Sequence, residues 1–203
     1  MPQKKDLLLI FTRNPQLGKV KKRLAADIGD TSALKVYKFL LQHTFEVSKD
    51  LAVEKCIYYS EEIPQEDLWD KEIFQKKLQR GNGLGERMEN AFSESFEAGY
   101  EKIVIIGSDL FDLQEEDLKK AFLALDTTNY VLGPASDGGY YLFGMKSLNS
   151  RVFRDKIWGS NTVLQETLQD LKNEQLTMLE VRNDIDYVQD LEAHPELRQI
   201  IKL

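Results

Sequence analysis

The sequence has little of what would indicate a disulfide scaffold, a leader or a membrane segment. Cys56 is the only cysteine among 203 residues, so the chain can form no internal disulfide and no cysteine cluster for zinc or iron–sulfur. With 12 glycines and 5 prolines, the composition is not that of a collagen-like or flexible chain. The first apolar run spans only residues 7–11, too short for a signal-peptide core or a membrane span. We therefore expect a cytoplasmic globular protein.

An excess of positive charge is also missing. The chain has 27 Lys and Arg against 34 Asp and Glu, a net charge of −7. This balance argues against a nucleic-acid partner, since nucleic-acid-binding domains are usually basic. The two histidines, His43 and His194, and the serines Ser108 and Ser136 have no sequence neighbours that suggest a catalytic triad or a zinc site. We therefore expect no nucleophilic hydrolase.

Short apolar runs alternate with stretches of helical spacing. The predicted strands are residues 7–11, 53–59, 73–79, 102–106, 130–132, 140–145 and 176–181, and the predicted helices are 20–28, 33–47, 86–98, 114–125, 161–171 and 186 onward. This alternation predicts an α/β fold with a mostly parallel central sheet flanked by helices. Ligands of such sheets bind beyond the carboxyl ends of the strands, so we expect the site in the loops that follow them.

The loop after the first strand is locally basic although the chain is acidic. Residues 13–23 contain no acid and five basic residues, which are Arg13, Lys19, Lys21, Lys22 and Arg23. The loop opens a predicted helix, whose amino-terminal N–H groups favour anions. We expect Arg13, Lys19, Lys21 and Arg23 to bind a di- or triphosphate; a solvated basic helix face is the alternative. The loop carries neither a Walker A nor a dinucleotide-binding glycine pattern, which disfavours a P-loop ATPase or an NAD-linked enzyme.

Acidic residues follow two other predicted strands. Asp109 ends the strongest apolar strand, where a carboxylate can share Mg²⁺ or Mn²⁺ with a substrate diphosphate. Asp184 and Asp186 follow residues 176–181, and in an extended segment both point to the same side. One of them is a candidate second metal ligand, and helix capping by Asp186 is the alternative.

Two glycine-rich segments complete the pattern. Residues 133–140 combine a turn, Asp137 and the pair Gly138 and Gly139, which permits close approach of the backbone to a ligand. Asp137 is a candidate for binding a sugar hydroxyl or acting as a base, although an Asp-Gly pair is also a hairpin signal. Residues 83–85 form a glycine-rich entry to a helix.

Six stretches of this sequence, in this order, resemble one family. They are residues 11–24 (FTRNPQLGKVKKRL), 84–88 (LGERM), 106–109 (IGSD), 133–140 (GPASDGGY), 158–164 (WGSNTVL) and 184–186 (DID). The family is the bacterial radical-SAM/selenodomain-associated transferase 1 family of the nucleotide-diphospho-sugar transferase superfamily. The stretches run nearly end to end, so the resemblance covers most of the chain.

The resemblance implies a GT-A fold, with residues 1–203 as a single nucleotide-binding transferase domain. It also implies a nucleotide-sugar or NTP donor, a small-molecule acceptor of unknown identity and a divalent metal, Mg²⁺ or Mn²⁺. Carried onto this chain, the implied roles are these: phosphate contacts by Arg13, Lys19 and Arg23; a place near the base for Gly83, Leu84 and Gly85; a sugar or acceptor pocket at Asp137, Gly138 and Gly139; and metal ligation by Asp109 and Asp186.

Our leading hypothesis is a metal-dependent, glycosyltransferase-like enzyme acting on a nucleotide-activated sugar, with Asp109 and Asp137 as its catalytic residues. The first alternative is a nucleotidyltransferase that uses an NTP and releases pyrophosphate. The second is a non-catalytic nucleotide-binding module, suggested by Lys22, Phe111 and Tyr187, which stand where the family pattern has Thr, Pro and Thr. Aromatic side chains such as Trp69, Tyr58 and Tyr59 can form a homo-oligomer interface or fill the core. We expect the two tyrosines in the core and leave Trp69 open.

Overall fold

The computed structural model describes residues 5–201, and within this range seven strands form one sheet. The strands are β1 (Asp6–Thr12), β2 (Glu54–Tyr59), β3 (Gln75–Leu78), β4 (Lys102–Gly107), β5 (Tyr130–Pro134), β6 (Tyr140–Met145) and β7 (Leu176–Met178). Their order is β3-β2-β1-β4-β6-β5-β7, and all pairings are parallel except the two that β6 makes. The predicted α/β architecture with a mostly parallel sheet is confirmed. Residues 1–4 and 202–203 of the predicted 1–203 domain lie outside the described range.

Helices cover both faces of this sheet. They are α1 (Lys22–Ile28), α2 (Asp30–Ser48), α3 (Leu84–Glu97), α4 (Glu115–Thr127), α5 (Val163–Asp170), α6 (Val188–Glu192) and α7 (Pro195–Ile201), with a 3-10 helix at Ser150–Phe153. No helix in the described part of the chain is both long and apolar enough to cross a membrane.

The central strands are apolar on both faces because both faces are packed. Leu8 and Ile10 of β1 contribute to one buried cluster with side chains of α2 and α4, and Leu7 and Leu9 contribute to a second cluster with α3 and the 3-10 helix. Continuous apolar runs are expected of a parallel sheet buried on both sides. The two clusters cover the two faces of the sheet and leave its carboxyl edge open.

The aromatic residues considered for an interface belong to the core. Trp69, Tyr58 and Tyr59 are each at most 2% exposed. Trp69 packs edge-to-face on Phe74, with ring centroids 5.1 Å apart. The expected core position of Tyr58 and Tyr59 is confirmed, and Trp69, which the sequence left open, is buried within the same chain.

One strand reversal shapes the edge where the site lies. β5 and β6 form an antiparallel hairpin, so the turn at residues 135–139 lies at the carboxyl end of β5. β5 runs in the same direction as β4, because β6 is antiparallel to both. The hairpin tip therefore lies at the same edge as the ends of β1 and β4.

Candidate functional site

Lys21 joins two of the predicted acidic residues. Its Nζ lies 2.8 Å from Oδ2 of Asp109 and 3.1 Å from Oδ1 of Asp186, and its side chain is 3% exposed. Burial by itself would lower the pKa of Lys21, but the two carboxylates outweigh it and the pKa is raised above its ordinary value. The structure thus pairs Lys21 with carboxylates at this sheet edge, where the sequence pattern predicts a phosphate contact.

Asp109 and Asp186 remain accessible beside this buried ammonium. Their side chains are 43% and 34% exposed. Burial opposes ionisation of Asp109, yet Lys21 and then Arg13 outweigh it and hold its pKa below the ordinary value. Both carboxylates converge on one positive group.

Asp186 also holds Arg23. Nη1 of Arg23 lies 3.0 Å from Oδ2 of Asp186, and its guanidinium lies 5.7 Å from the centre of the Tyr187 ring. Helix capping by Asp186 is wrong, because α6 begins at Val188 and Oδ2 of Asp190 accepts hydrogen bonds from the backbone N–H groups of Asp186 and Tyr187. The carboxylate of Asp186 therefore contacts the side chains of Lys21 and Arg23.

Arg13 is positioned by the backbone at the end of β1. Its N–H donates to the hydroxyl of Tyr37 over 3.0 Å. The next residue, Asn14, joins the loops after β1 and β2: its Oδ1 accepts from the N–H of Glu61 and its Nδ2 donates to the carbonyl of Glu62. The guanidinium of Arg13 forms no ion pair with any described residue and is available to a ligand.

A basic cavity opens at the ends of β1, β2 and β4. Its volume is about 550 Å³. Its lining includes the basic side chains of Arg13, Lys19 and Arg87, the acidic side chains of Glu61 and Asp109, and also Gly83 and Leu84. Lys19 contacts Glu61 over 2.9 Å. We name this the basic cavity.

Arg87 is a lining residue that our sequence reasoning missed. Its Nε donates to the carbonyl of Gly81 and its Nη1 to Oε1 of Gln79, which aims the guanidinium at the basic cavity. The signal was present, because Arg87 belongs to the stretch at residues 84–88 and lies in the first turn of α3.

A second cavity, of about 250 Å³, lies against the first. Its lining includes the aromatic side chains of Phe11, Tyr140, Tyr141 and Trp158, the apolar side chains of Leu84, Met88, Ile105, Ile106 and Val163, and the carboxylates of Asp137 and Asp184. We name this the aromatic cavity. The two cavities share Phe11, Leu84 and Gly107, so one ligand can reach from one into the other.

Asp184 is the second residue whose role was underestimated from the sequence. Partial burial raises its pKa to about 7, with further contributions from the negative charges of Asp109, Asp137 and Asp186. Its carboxylate makes no hydrogen bond to a described residue. The alternation of side chains along this segment was the sequence feature that pointed to Asp184. In the structure Asp184 lines the aromatic cavity, whereas Asp186 contacts Lys21.

The predicted glycines fall into two groups. Gly83 and Gly139 each line a cavity, and the N–H of Gly139 donates to Oδ1 of Asp137 over 2.8 Å. Gly85 and Gly138 line neither cavity. A Cβ on Gly85 would lie 2.3 Å from Nε1 of Trp158, and one on Gly138, at φ +89°, would lie 2.3 Å from the carbonyl oxygen of Asn161. These two glycines allow the close packing that shapes the aromatic cavity.

The three departures from the family pattern have structural partners or lie in solvent. Phe111 packs against His43 and His194, with ring centroids 5.1 and 4.9 Å away. Tyr187 lies beneath Arg23. Lys22 is exposed. None of the three substitutions removes an acidic residue from the site.

Comparison with known proteins places the chain in a family. The family model described as "Uncharacterized protein conserved in bacteria (DUF2064)" matches residues 43–160. The chain belongs to this family. The DUF2064 match covers β2 to β6 and thus includes Arg87, Asp109 and Asp137. Together with the solved structure from Desulfovibrio described below, it supports the nucleotide-diphospho-sugar transferase superfamily. The narrower radical-SAM-associated family stays a prediction. No curated protein matches the sequence significantly.

Solved structures agree with this placement of the DUF2064 chain. The chain is similar to a candidate nucleotide-diphospho-sugar transferase from Desulfovibrio desulfuricans G20, with a TM-score of 0.84, 27% identity and 98% of each chain covered. The same fold occurs in Rv0371c from Mycobacterium tuberculosis H37Rv, crystallised with manganese (TM-score 0.58, 11% identity, 99% and 100% covered). It also occurs in 4-diphosphocytidyl-2C-methyl-D-erythritol synthase from Anaerococcus prevotii DSM 20548 (TM-score 0.58, 10% identity, 96% of each chain). The predicted GT-A-like fold of the nucleotide-diphospho-sugar transferases is therefore confirmed.

Proposed function

We propose that this protein is a metal-dependent transferase that acts on a nucleotide-activated sugar. The observation that carries the proposal is the basic cavity beside the aromatic cavity at the carboxyl edge of the sheet, with Asp109 in the lining of the basic cavity. Open α/β sheets bind ligands at this edge. The likeness to the Desulfovibrio protein supports the same class of donor.

The donor set fits a divalent cation. The carboxylates of Asp109 and Asp186 already converge on a positive group, the ammonium of Lys21. Mg²⁺ and Mn²⁺ prefer oxygen ligands, and Mg²⁺ is usually held by one or two carboxylates together with substrate phosphates. The two carboxylates would be the protein's ligands, and oxygens of the substrate phosphates and of water would complete the coordination. When bound, the metal would offset the charge of a departing diphosphate.

The small number of basic side chains without an ion-pair partner among the described residues favours a diphosphate donor. Lys21 and Arg23 are paired with carboxylates, and Lys19 contacts Glu61. Arg13 and Arg87 are the lining cations that form no ion pair with a described residue. Because a triphosphate needs more countercharge than a diphosphate, this arrangement supports sugar transfer over nucleotidyl transfer. Arg13, Arg87 and Lys19 would bind the phosphates, and Gly83 and Leu84 would lie near the base.

The aromatic cavity would hold the reacting sugar or acceptor. Asp137 and Asp184 both line it, and each offers an oxygen that can accept a proton from a hydroxyl. Gly139 fixes Asp137 through its N–H, and the turn at Gly138 holds α5 through a 2.9 Å hydrogen bond from the N–H of Leu164. These groups supply positioning and proton transfer, while the basic side chains supply electrostatic stabilisation.

The proposal is tested by thermal unfolding with a panel of NDP-sugars and NTPs, with and without Mg²⁺ or Mn²⁺. A ligand at about 100 times its Kd adds roughly 2.7 kcal/mol to the free energy of unfolding, a visible rise in Tm. We expect one NDP-sugar to stabilise the wild type in a metal-dependent manner and Asp109→Asn to lose the metal dependence. Pyrophosphate release from an NTP would instead support the nucleotidyltransferase. Binding without turnover would support the non-catalytic module, and no stabilisation by any nucleotide would refute the donor site.

A further inference from the structure

We infer that the aromatic cavity takes an uncharged, hydroxylated ring and rejects the same ring carrying a phosphate. This inference rests on the proposed function, because it names the chemistry of the substrate part that lies beyond the donor phosphates. It separates this protein from transferases whose second substrate is itself phosphorylated.

Charge is divided between the two cavities. The basic side chains of Arg13, Lys19 and Arg87 all line the basic cavity. Among the described residues that line the aromatic cavity there is no Lys, Arg or His, and its charged groups are Asp137 and Asp184. A phosphate placed there would face two acidic side chains without a lining cation, and a negative charge without a positive partner is unfavourable in a partly enclosed site.

The buried ammonium of Lys21 does not provide this positive partner. Lys21 lines neither cavity. The ammonium of Lys21 is already shared between Asp109 and Asp186. A second phosphate would therefore compete with two existing ion pairs for one positive charge.

The walls of the cavity suit the apolar face and the hydroxyl edge of a ring. Tyr140 and Trp158 stand edge-to-face with centroids 6.1 Å apart, and Phe11 lies at the border with the basic cavity. The carboxylate of Asp184 has no described hydrogen-bond partner, and Asp137 uses only Oδ1, for the N–H of Gly139. Free carboxylate oxygens accept hydrogen bonds from hydroxyl groups. The volume of about 250 Å³ is close to that of one such ring with a short substituent.

The test uses a matched pair of probes, phenyl β-D-glucopyranoside and its 6-phosphate. Trp158 lines the cavity and reports binding by its fluorescence, while Trp69 is 2% exposed in the cluster on the opposite face of the sheet. We expect the neutral glucoside to bind at least about tenfold more tightly than its phosphate, the ratio that corresponds to about 1.4 kcal/mol. Tighter or equal binding of the phosphate would overturn the inference, and so would binding of neither probe.

A charge-reversed variant tests the cause. Asp137→Lys should raise the affinity for the 6-phosphate and reduce the preference to near unity or reverse it. Glu174→Lys makes the same change of charge at an exposed position away from both cavities and should leave the ratio unchanged. An equal effect of the two variants would show that net charge, and not the cavity, sets the preference.

The ring can be the donor's sugar or the acceptor, and a competition arm distinguishes them. If UDP-glucose with Mn²⁺ displaces the glucoside while UDP with Mn²⁺ does not, the donor's sugar fills the cavity. If both leave the glucoside bound, the cavity belongs to the acceptor; both outcomes agree with an uncharged ring. The preference for the glucoside is measured without nucleotide. A negative result there can therefore be distinguished from the absence of stabilisation by NDP-sugars and NTPs.

Discussion

At the scale of single residues, the ammonium of Lys21 balances the charges of two carboxylates, Asp109 and Asp186. A buried ammonium between two part-exposed carboxylates is stabilised only while both partners remain, because each charge has lost part of its hydration. The backbone of Lys21 lies in the left-handed region, with φ of +45°, and this conformation turns the chain into α1. The position of one side chain therefore links the loop after β1 to the segments that carry Asp109 and Asp186.

We predict that Lys21→Met lowers the free energy of unfolding by about 1–3 kcal/mol, because two carboxylates lose their shared partner. Mn²⁺ should then stabilise Lys21→Met more than the wild type, since a cation can take the vacated place. Lys22→Met, at an exposed position, should change stability by less than about 0.5 kcal/mol. Urea unfolding with and without Mn²⁺ measures both effects; equal losses in the two variants would contradict the assigned role of Lys21.

At this scale the sequence predicts residue types better than residue roles. The five basic residues of the loop look alike in sequence, and only packing separates Arg13, which is unpaired among the described residues, from Lys21, which is buried between acids. Gly85 shows the same limit. A side chain at this position would collide with Trp158, which is distant in the sequence. Asp184 was within reach of sequence reasoning, since alternation places it beside Asp186.

At the scale of elements, one ion pair connects a loop of the site to helix α4. Nη2 of Arg182 lies 2.9 Å from Oδ1 and 3.1 Å from Oδ2 of Asp117, whose side chain is 5% exposed. Oδ2 of Asp117 also accepts from the N–H of Gln114 and caps α4. The segment that carries Asp184 and Asp186 is thus anchored to the helix that follows the Asp109 loop.

We predict that Arg182→Lys loosens residues 182–187 because lysine lacks the planar guanidinium that Asp117 binds. A hydrogen bond to a charged group contributes about 1.5–3 kcal/mol, so amide exchange in this segment should rise by roughly tenfold or more. Hydrogen exchange followed by mass spectrometry measures this change. Arg151→Lys, at a side chain that is 73% exposed, is the matched control. Unchanged exchange in Arg182→Lys would show that other contacts hold the segment.

At the scale of the whole molecule, the two tryptophans report on opposite faces of the sheet. Trp69 lies in the cluster with α2 and α4, and Trp158 packs against the cluster with α3 and the 3-10 helix. The single domain proposed for residues 1–203 should unfold as one cooperative unit. In both Trp69→Phe and Trp158→Phe, we expect the fluorescence of the remaining tryptophan and the far-UV circular dichroism to give the same urea midpoint. Separate midpoints in either variant would indicate two units.

The alternation of apolar runs and helical spacing was sufficient to predict the architecture. β6 was predicted with the bounds Tyr140–Met145 that the structure has, because its apolar run is framed by a glycine turn. The neighbours of each strand were not predictable, since strand order depends on how helices pack over the two faces. The segment after Leu176 was predicted too long, as β7 keeps only three residues before the chain turns toward Arg182.

The reversed direction of β6 has a consequence for how such proteins diversify. A parallel successor to β5 would have needed a crossover helix, whereas the hairpin reaches the ligand edge with residues 135–139 alone. This tip carries Asp137 and Gly139 but none of the basic side chains that line the neighbouring cavity. We therefore expect insertions or exchanges at the hairpin to change the molecule that the aromatic cavity accepts and to leave the lining of the basic cavity unchanged.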